Sequence, residues 1–346
     1  MKFKIWKGSK EDWDNHLLSS GNHSMHQTFL WGEYIKNSNW KVYRLIEPGH
    51  KSERLNFTIL IRYLPFGFAV AWCQGLNFRN HEIIRDNLQK EIKEALNIKF
   101  VYLRIKFLFN ENYLIKNLLM ENDWKECTTT LSSNETLSFD FQKDVLLSKN
   151  WSKNLRRFNR KKLNIYRWNN PNPNKIFNLY RKLENFKKIK KQFSLHQIKS
   201  LINIFQDDLM VYVCENDKKK IISLRAIIIN KQLAYDIFSI STFEGRKYYA
   251  GYGLLWRIYQ ECKNLNIKFY DLGGVDRINN KTVYNFKKGT GASNINYVGE
   301  FSWSNFPLMR DFTDFLINTS VFFEPGMEPF KYNKLLSLSV FIISIF

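Results

Sequence analysis

Residues 248–276 have the sequence YYAGYGLLWRIYQECKNLNIKFYDLGGVD, followed by YNFKKGTG at 284–291 and NYVGEF at 296–301. From Gly253 to Leu265 the apolar residues recur at the spacing of an amphipathic helix. The run KFYDL then has the composition of a short buried strand, and a short helix and the strand NYVGEF follow it. A long helix that leads directly into a strand predicts an α/β arrangement for this part of the chain.

The same order of elements occurs earlier in the chain. Two strands, NFTILIRYLP and FAVAWC, are separated by a turn at Pro65–Gly67, and a helix, the strand KFVYLRIKF, a second helix and further strands follow. This repeated order suggests a duplicated unit, and a length of 346 residues favours two cores. We predict a mixed α/β (α+β) protein with one domain at 1–145 and a second at 146–317. Residues 318–346 are expected to pack back on the first domain.

Composition excludes several classes of protein. A hydrophobic content of 44% with 16% aromatic residues is too high for a disordered chain. The four cysteines lie far apart without a CxxC pair, which indicates reduced thiols in a cytosolic protein and no metal site. No apolar signal segment is evident at the N-terminus, and LLSLSVFIISIF at 335–346 is shorter than the ~20 residues that span a bilayer. We therefore expect a cytoplasmic protein, with peripheral contact at the inner membrane face as an alternative for this last segment.

Positive charge is concentrated between the two halves. The chain has 53 basic and 32 acidic residues, a net charge of +21, which favours a polyanionic partner. From Val145 to Leu183 there is no acidic residue. A solubilising helix face would explain this pattern, but the unbroken charge favours contacts with an RNA backbone. The candidate tRNA- or anion-binding residues are Lys153, Arg156, Arg157, Arg160 and Lys161.

Glycines mark two places where a ligand could approach the backbone. Gly251 and Gly253 open the long predicted helix, whose free N–H groups suit a phosphate or carboxylate, although a plain turn is the commoner explanation. Gly273 and Gly274 follow Asp271 at the end of a strand and permit close approach of substrate or backbone.

Taken together, YDLGGVD, FKKGTG and GEF resemble the FemABX family of aminoacyltransferases, which are peptidoglycan bridge-forming enzymes. The N-terminal HQTFLWGEYIKNSNW is similar to a pattern of that family through Gln27, Trp31, Lys36 and Trp40, and the basic WSKNLRRFNRKKLNI resembles the helix that opens its second domain. The resemblance implies two tandem GNAT-like domains, each a mixed sheet flanked by helices. It also implies a place near the acceptor for Trp40, for which a core anchor is the alternative.

The activity implied by the resemblance is transfer of an amino acid from aminoacyl-tRNA to an amine of a nucleotide- or lipid-linked cell-envelope precursor, without a further cofactor. Lys287 corresponds to the catalytic-site cation of the family, with Phe286 beside it. Lys36 corresponds to a lysine that holds the phosphates of the acceptor; a solvated lysine on a helix is the alternative. Tyr248 or Tyr249 corresponds to a tyrosine that serves the same site.

The chemistry of such a transfer fits these residue types. Attack of an amine on an ester develops negative charge on the carbonyl and leaving oxygens, and a positioned ammonium such as Lys287 stabilises it by ~3 kcal/mol. No Ser–His–Asp or Cys–His arrangement stands out, which favours direct transfer over a covalent acyl-enzyme. Asp271 or Asp276 could accept the proton of the amine. Each could equally be a turn residue, so the general base is not assigned.

Two other functions compete with this one. YxxGxG at Tyr248–Gly253 partly resembles the pyrophosphate loop of GNAT enzymes, so a CoA-dependent N-acyltransferase acting on an amino sugar of a surface glycan is an alternative. A non-catalytic, basic RNA-binding protein is the second alternative. It predicts that loss of Lys287 leaves function intact whereas charge reversal at Arg156 and Arg157 abolishes it.

Overall fold

The chain divides into two units, each with its own sheet and its own hydrophobic core. The structure is a computed structural model that describes residues 3–22, 24–36, 40–48, 55–77, 87–187 and 193–318. Unit 1 contains residues 1–134 and the chain from residue 296 onward, and unit 2 contains residues 135–295. In the described part of the chain, no helix combines the length and apolar character needed to cross a bilayer.

Strands and helices alternate along both units. The strands are β1 (Lys4–Ile5), β2 (Lys41–Ile46), β3 (Asn56–Tyr63), β4 (Phe68–Leu76), β5 (Phe100–Asn110), β6 (Lys125–Glu126), β7 (Glu135–Asp140), β8 (Asn164–Arg167), β9 (Leu209–Glu215), β10 (Ile221–Asn230), β11 (Leu233–Ser241), β12 (Phe269–Gly274) and β13 (Ser293–Ser304). The helices are α1 (Lys10–Ser20), α2 (Phe29–Lys36), α3 (Leu88–Ala95), α4 (Tyr113–Glu121), α5 (Lys149–Asn159), α6 (Pro173–Lys187), α7 (Leu195–Phe205), α8 (Phe243–Lys247), α9 (Ala250–Asn264), α10 (Lys281–Lys288) and α11 (Pro307–Asn318).

The sheet of unit 1 has the order β1-β2-β3-β4-β5-β13, and β6 also pairs with β13. Among the described strands of this sheet, only β4 and β5 are parallel neighbours, and α3, which lies between them in the chain, provides the crossover that parallel strands need. The strand runs that the sequence shows as continuously apolar, such as FAVAWC, are buried throughout.

The GEF segment has a structural role in unit 1. Glu300 is fully buried on β13, and its carboxylate accepts hydrogen bonds from the backbone N–H groups of Leu131 and Ser132 and from the Ser132 hydroxyl. Arg104 on β5 completes the set, since its Nε donates to Glu300 Oε2 at 2.8 Å. A buried carboxylate is tolerated only with such partners, so Glu300 pins the 131–132 segment to the sheet.

The sheet of unit 2 has the order β7-β12-β11-β10-β9-β8. Its parallel pair is β11 and β12, which α8 and α9 connect. These two strands pair only at Leu233–Tyr235 and Phe269–Asp271, and beyond these residues β11 and β12 continue without pairing to each other. Past Tyr235 and Asp271, the facing edges of β11 and β12 are not paired with each other, so their backbone groups can bond to other groups of unit 2.

The unit limits differ from the domain boundaries predicted at 145 and 317. β7 lies before residue 145, but it pairs with β12, with Phe139 opposite Tyr270, so it belongs to unit 2. β13 lies before residue 317, but it pairs with β5, with Phe301 opposite Ile105, so β13 belongs to unit 1. Strand pairing, not chain order, defines each unit. Residues 318–346 were predicted to pack back on the first domain. Residues 319–346, which include LLSLSVFIISIF at 335–346, lie outside the described part of the chain.

Several predicted element ends also change. The long helix begins at Ala250 rather than Gly253, because Tyr249 adopts a left-handed conformation with φ of 59° and stands as the residue before its first turn. The run of basic residues continues to Lys162, but the helix itself ends at Asn159. Of the strands expected after the second helix, β6 covers only Lys125–Glu126, since Leu131 and Ser132 are held by Glu300 instead.

Candidate active site

The ammonium of Lys287 lies inside unit 2 against the end of β12. Lys287 is in the last turn of α10, on the same face as the buried Tyr284, and is only 9% exposed. Its Nζ donates to the backbone carbonyls of Gly273 and Gly274, at 3.0 Å each. An ammonium carries three N–H donors, and no other acceptor among the described residues contacts Nζ. One N–H is therefore available to an acceptor on a substrate.

The glycine pair at the end of β12 forms this acceptor site. Gly273 has a φ of +76°, which glycine adopts without the strain that a side chain would bring. The pair lies beyond Asp271, the last residue of β12 that pairs with β11. Gly274 is exposed, Gly273 is partly buried and Lys287 is buried, so the glycine pair leads from the surface of unit 2 to the ammonium.

Burial controls the charge of Lys287. Removal from water lowers the pKa of its ammonium from 10.5 to about 8; the carboxylate of Asp236 opposes this shift and the guanidinium of Arg225 adds to it. At pH 7 the group is still mainly protonated, but it releases its proton far more readily than an exposed lysine does. Both properties suit a group that meets developing negative charge.

Beside Lys287 lies a buried ion pair that sequence reasoning missed. Arg225 on β10 donates through Nε and Nη2 to the two carboxylate oxygens of Asp236 on β11, at 2.7 and 2.8 Å. The Tyr270 hydroxyl donates to the same carboxylate at 3.2 Å. The sequence contains one indication of this pair: each of two adjacent apolar strand segments, ISLRAIII and LAYDIF, includes a single charged residue. A bidentate pair of this kind fixes the facing strands β10 and β11 in register.

The two candidate bases have different surroundings. Asp271 Oδ1 accepts from the Thr136 hydroxyl at 2.5 Å and from the Gly273 N–H at 2.8 Å, which places this carboxylate in the same small cluster as the carbonyls that hold Lys287. Asp276 is exposed in the turn that follows β12, and hydrogen bonds from Asn279 hold its pKa below the ordinary value. Asp271 thus lies near the ammonium, whereas Asp276 accepts hydrogen bonds within the turn and stabilises it.

The ring of Phe286 packs in the interior of unit 2. Its centroid lies 4.9 Å from that of Tyr252 on α9 and 6.0 Å from that of Trp151 on α5. The Phe286 carbonyl also accepts from Trp151 Nε1 at 3.1 Å. These contacts anchor α10 against α5 and α9, so the side chain of Phe286 holds its neighbour Lys287 in place.

The glycines and tyrosines at the start of α9 have distinct surroundings. Gly253 lies within the first turn of α9, where a Cβ would come 2.2 Å from the ring of Phe158, so its role is close packing of α5 on α9. At Gly251 a Cβ would meet only Ser241 Oγ at 3.5 Å, an ordinary contact. Tyr248 and Tyr249 lie between α8 and α9, where Tyr248 caps the end of α8 and Tyr249 precedes α9. Both tyrosines are partly exposed.

The basic helix α5 buries one face and exposes the other. The buried face consists of Trp151, Leu155 and Phe158 together with the polar Asn154. In the described residues, no carboxylate lies within ion-pair distance of its exposed cations. The exposed cations of α5 and its exit are Lys149, Lys153, Arg156, Arg157, Arg160, Lys161 and Lys162.

Two predicted acceptor-binding residues belong to unit 1. Lys36 is exposed at the end of α2, and its Nζ lies 2.7 Å from Oε1 of Glu33. Trp40 is only 3% exposed, with the guanidinium of Arg62 4.7 Å from its ring centroid. This geometry fits the alternative interpretations, a surface lysine and a core tryptophan.

Lys287, Asp271, Gly273 and Gly274 thus form one cluster, supported by Phe286. The arrangement places one ammonium hydrogen and a nearby carboxylate at an open strand end. It can stabilise an oxyanion through Lys287 and receive a proton at Asp271.

Comparison with known proteins gives a family match for part of the chain and several structures of similar fold. Residues 158–316 match the model of the FemAB family. No curated protein sequence matches the chain. Among solved structures, FemX is similar with a TM-score of 0.77 and 12% identity, covering 91% of this chain and 100% of FemX.

Two further structures share the fold at lower scores. L-PGS from Bacillus licheniformis has a TM-score of 0.52 and 12% identity, covering 89% of this chain and 97% of that one. A tandem GNAT protein from the clavulanic acid biosynthesis pathway has a TM-score of 0.53 and 7% identity, covering 88% and 98%. The predicted mixed α/β fold of two tandem GNAT-like halves is confirmed. Residues 158–316, which carry the Lys287 cluster, match the FemAB family model, and this match together with the shared fold supports an acyltransferase.

Proposed function

We propose that this protein transfers an amino acid from aminoacyl-tRNA to an amine of a cell-envelope precursor of the peptidoglycan bridge type. The observation that carries the proposal is the ammonium of Lys287, which is buried, held by two carbonyls and left with one N–H at the open end of β11 and β12. An oxyanion that forms there would receive a charged hydrogen bond in a site of low polarity.

The reaction uses this cluster for direct transfer. The amine of the acceptor attacks the ester carbonyl of the aminoacyl group, and Lys287 stabilises the negative charge on the carbonyl oxygen. Asp271 accepts the proton that the amine loses, and this proton passes to the ribose oxygen as the ester C–O bond breaks, so that the ribose leaves as a hydroxyl and Asp271 returns to a carboxylate. Neither role requires a metal ion or a further cofactor.

The exposed cations of α5 provide the contact with the tRNA backbone in this proposal. They stand free of acidic partners among the described residues, so phosphate groups can pair with them without displacing a carboxylate. Such contacts depend on salt and not on nucleotide sequence. The acceptor is a nucleotide- or lipid-linked precursor, and the protein meets it in the cytoplasm or at the inner membrane face.

The experiment that tests the proposal is a donor assay. The purified protein receives, in parallel, a pool of charged tRNAs or a pool of acyl-CoAs together with candidate amine acceptors, and the donor consumed is measured. Consumption of charged tRNA that is lost in Lys287→Met but kept in Lys288→Met supports the proposal, because Lys288 is the exposed neighbour on the same helix. Consumption of acyl-CoA with no effect of charged tRNA would establish the CoA-dependent alternative instead.

A further inference from the structure

The buried ion pair of Arg225 and Asp236 lies at the point where β11 and β12 separate. Tyr235, opposite Asp271, is the last residue of β11 that pairs with β12, and Asp236 is the next residue along the chain. The carboxylate of Asp236 accepts from Arg225 on β10 at 2.7 and 2.8 Å. It also accepts from the Tyr270 hydroxyl on β12 at 3.2 Å. One carboxylate thus connects three neighbouring strands at this strand fork.

The strand fork lies beside the ammonium of Lys287. A Cβ added to Gly273 would lie 3.7 Å from the backbone carbonyl oxygen of Asp236 and 3.8 Å from Lys287 Nζ. The carbonyl of Gly273 itself accepts from Nζ at 3.0 Å. Asp236 and Lys287 therefore meet at one glycine, and the place of that glycine depends on how β11 and β12 are held at the fork.

Three charged groups act on this ammonium, and each belongs to a different strand: Asp236 on β11, Arg225 on β10 and Asp271 on β12. From α5, which packs against α10, the contact is made by Trp151, which carries no charge. Burial lowers the pKa of Lys287 to about 8, and Asp236 opposes this decrease more strongly than Asp271 does. Arg225 adds to the decrease. The ion pair therefore acts on Lys287 with two opposite signs.

The ion pair is itself removed from water. The side chain of Arg225 is 3% exposed and that of Asp236 is 9% exposed. The tyrosines near Asp236 are Tyr270 and Tyr180 on α6, and burial raises the pKa of both hydroxyls, so both stay uncharged. Charges in such surroundings are poorly screened. Removing one member of the pair would leave the other to act on Lys287 without compensation.

We infer that Asp236 and Arg225 are positioning residues that act through Lys287 at the strand fork. The carboxylate of Asp236 favours the ammonium form of Lys287, and Arg225, which holds both carboxylate oxygens, limits this effect and fixes the carboxylate in place. The pair thereby decides up to which pH the candidate active site keeps its cation. The consequence for turnover rests on the proposed function, whereas the effect on Lys287 itself does not.

The test is a pH titration of Lys287 by nuclear magnetic resonance, in protein that carries ¹³C at the Cε atoms of its lysines. The signal of Lys287 is identified by its absence from Lys287→Met. The variants are Asp236→Asn, Arg225→Met and the double variant Arg225→Met/Asp236→Leu. The matched control is Glu300→Gln, because Glu300 forms a buried ion pair of the same kind with Arg104 in unit 1.

Asp236→Asn should lower the midpoint of the Lys287 titration by at least about 1 pH unit, because Arg225 then acts on the ammonium alone. Arg225→Met should raise the midpoint, since the carboxylate then acts without its partner. The double variant should lie between the wild type and Asp236→Asn, as Asp236 has the larger effect of the two. Glu300→Gln should leave the midpoint unchanged. A buried pair replaced as a whole by apolar groups is usually tolerated, so the double variant decides the question where a single variant does not fold.

Turnover gives a second measurement in the same variants. In the donor assay, the pH above which transfer declines should move with the midpoint of Lys287, downward in Asp236→Asn and upward in Arg225→Met. A merely structural role of the pair would reduce turnover at every pH and leave this limit in place.

Three results would overturn the inference: an unchanged midpoint in either single variant, shifts of both in the same direction, or an equal shift in Glu300→Gln. Where only the double variant folds, a midpoint at or above that of the wild type overturns it. A pH limit of turnover that does not follow the midpoints removes the role in turnover. Failure of the proposed function is a separate result, because a protein that shows the opposite shifts but consumes no charged tRNA keeps the effect of the pair on Lys287 and loses the aminoacyl donor.

Discussion

Replacing Lys287 by methionine should affect turnover and the pH dependence of stability in ways that follow from its burial. Methionine is unbranched and only one atom shorter than lysine, and it removes the charge. Loss of one preorganised donor to an oxyanion costs about 10²–10³ in kcat. We therefore expect transfer by Lys287→Met to fall at least a hundredfold, and wild-type activity to fall as the pH rises through about 8, where the ammonium loses its proton.

The stability of the wild type should rise with pH in the same range. The folded-state pKa of about 8 lies below the ordinary value of 10.5, so between these values the unfolded chain binds more protons than the folded one. Below pH 8 the cost of holding the ammonium in the interior is fully present, and it disappears as the pH rises toward 10.5. At about 1.4 kcal/mol per pKa unit, the whole effect is about 3 kcal/mol.

The assay is chemical denaturation of the wild type, Lys287→Met and Lys288→Met between pH 7 and 10. Subtracting the curve for Lys287→Met from that of the wild type removes the effect of every other titrating group. The free energy of unfolding of the wild type minus that of Lys287→Met should rise by about 2–3 kcal/mol between pH 7 and 10. Lys288→Met, at the exposed neighbouring lysine, should show no such rise. A flat difference, or turnover by Lys287→Met within fivefold of the wild type, would refute the reasoning.

Three more substitutions test the packing and charge of unit 2. Gly253→Ala should lower the free energy of unfolding by about 1–3 kcal/mol, because the added Cβ would come 2.2 Å from the ring of Phe158. Asp236→Ala should cost about 3–5 kcal/mol in chemical denaturation, since it leaves Arg225 buried without its carboxylate. Arg156→Glu should weaken tRNA binding and reduce its salt slope, as measured by anisotropy at several salt concentrations.

Each of these substitutions has a control in the same unit. Gly251→Ala brings no such clash and should be neutral or slightly stabilising. If it lowered the free energy of unfolding as much as Gly253→Ala does, the loss would come from the change in the helix backbone and not from the Phe158 contact. Asp276→Asn, in an exposed turn, should cost under 1 kcal/mol. Lys263→Glu, at the far end of α9, should leave the salt slope unchanged; a change equal to that of Arg156→Glu would contradict a specific role for α5.

Local patterns predicted much of the candidate site. The apolar periodicity around residues 253–272 placed a helix before a strand, and DLGG placed two glycines at the end of that strand, where the structure has them. The resemblance carried by FKKGTG indicated Lys287. The sequence did not reveal that Arg225 and Asp236 meet, because a charged residue within an apolar strand has no local feature that identifies its partner across the sheet.

Taken alone, the sequence determined the types and order of the elements, the excess of positive charge and the presence of an exposed basic helix face, because propensity, periodicity and net charge depend on residues close together in the chain. Only the tertiary structure decided that β7 joins unit 2 and that β13 joins unit 1, and that the carbonyls of Gly273 and Gly274 hold Lys287. Those contacts join residues far apart in the chain. They form because buried polar groups need hydrogen-bond partners and apolar faces are stabilised by removal from water. These requirements are met only when the whole unit is folded.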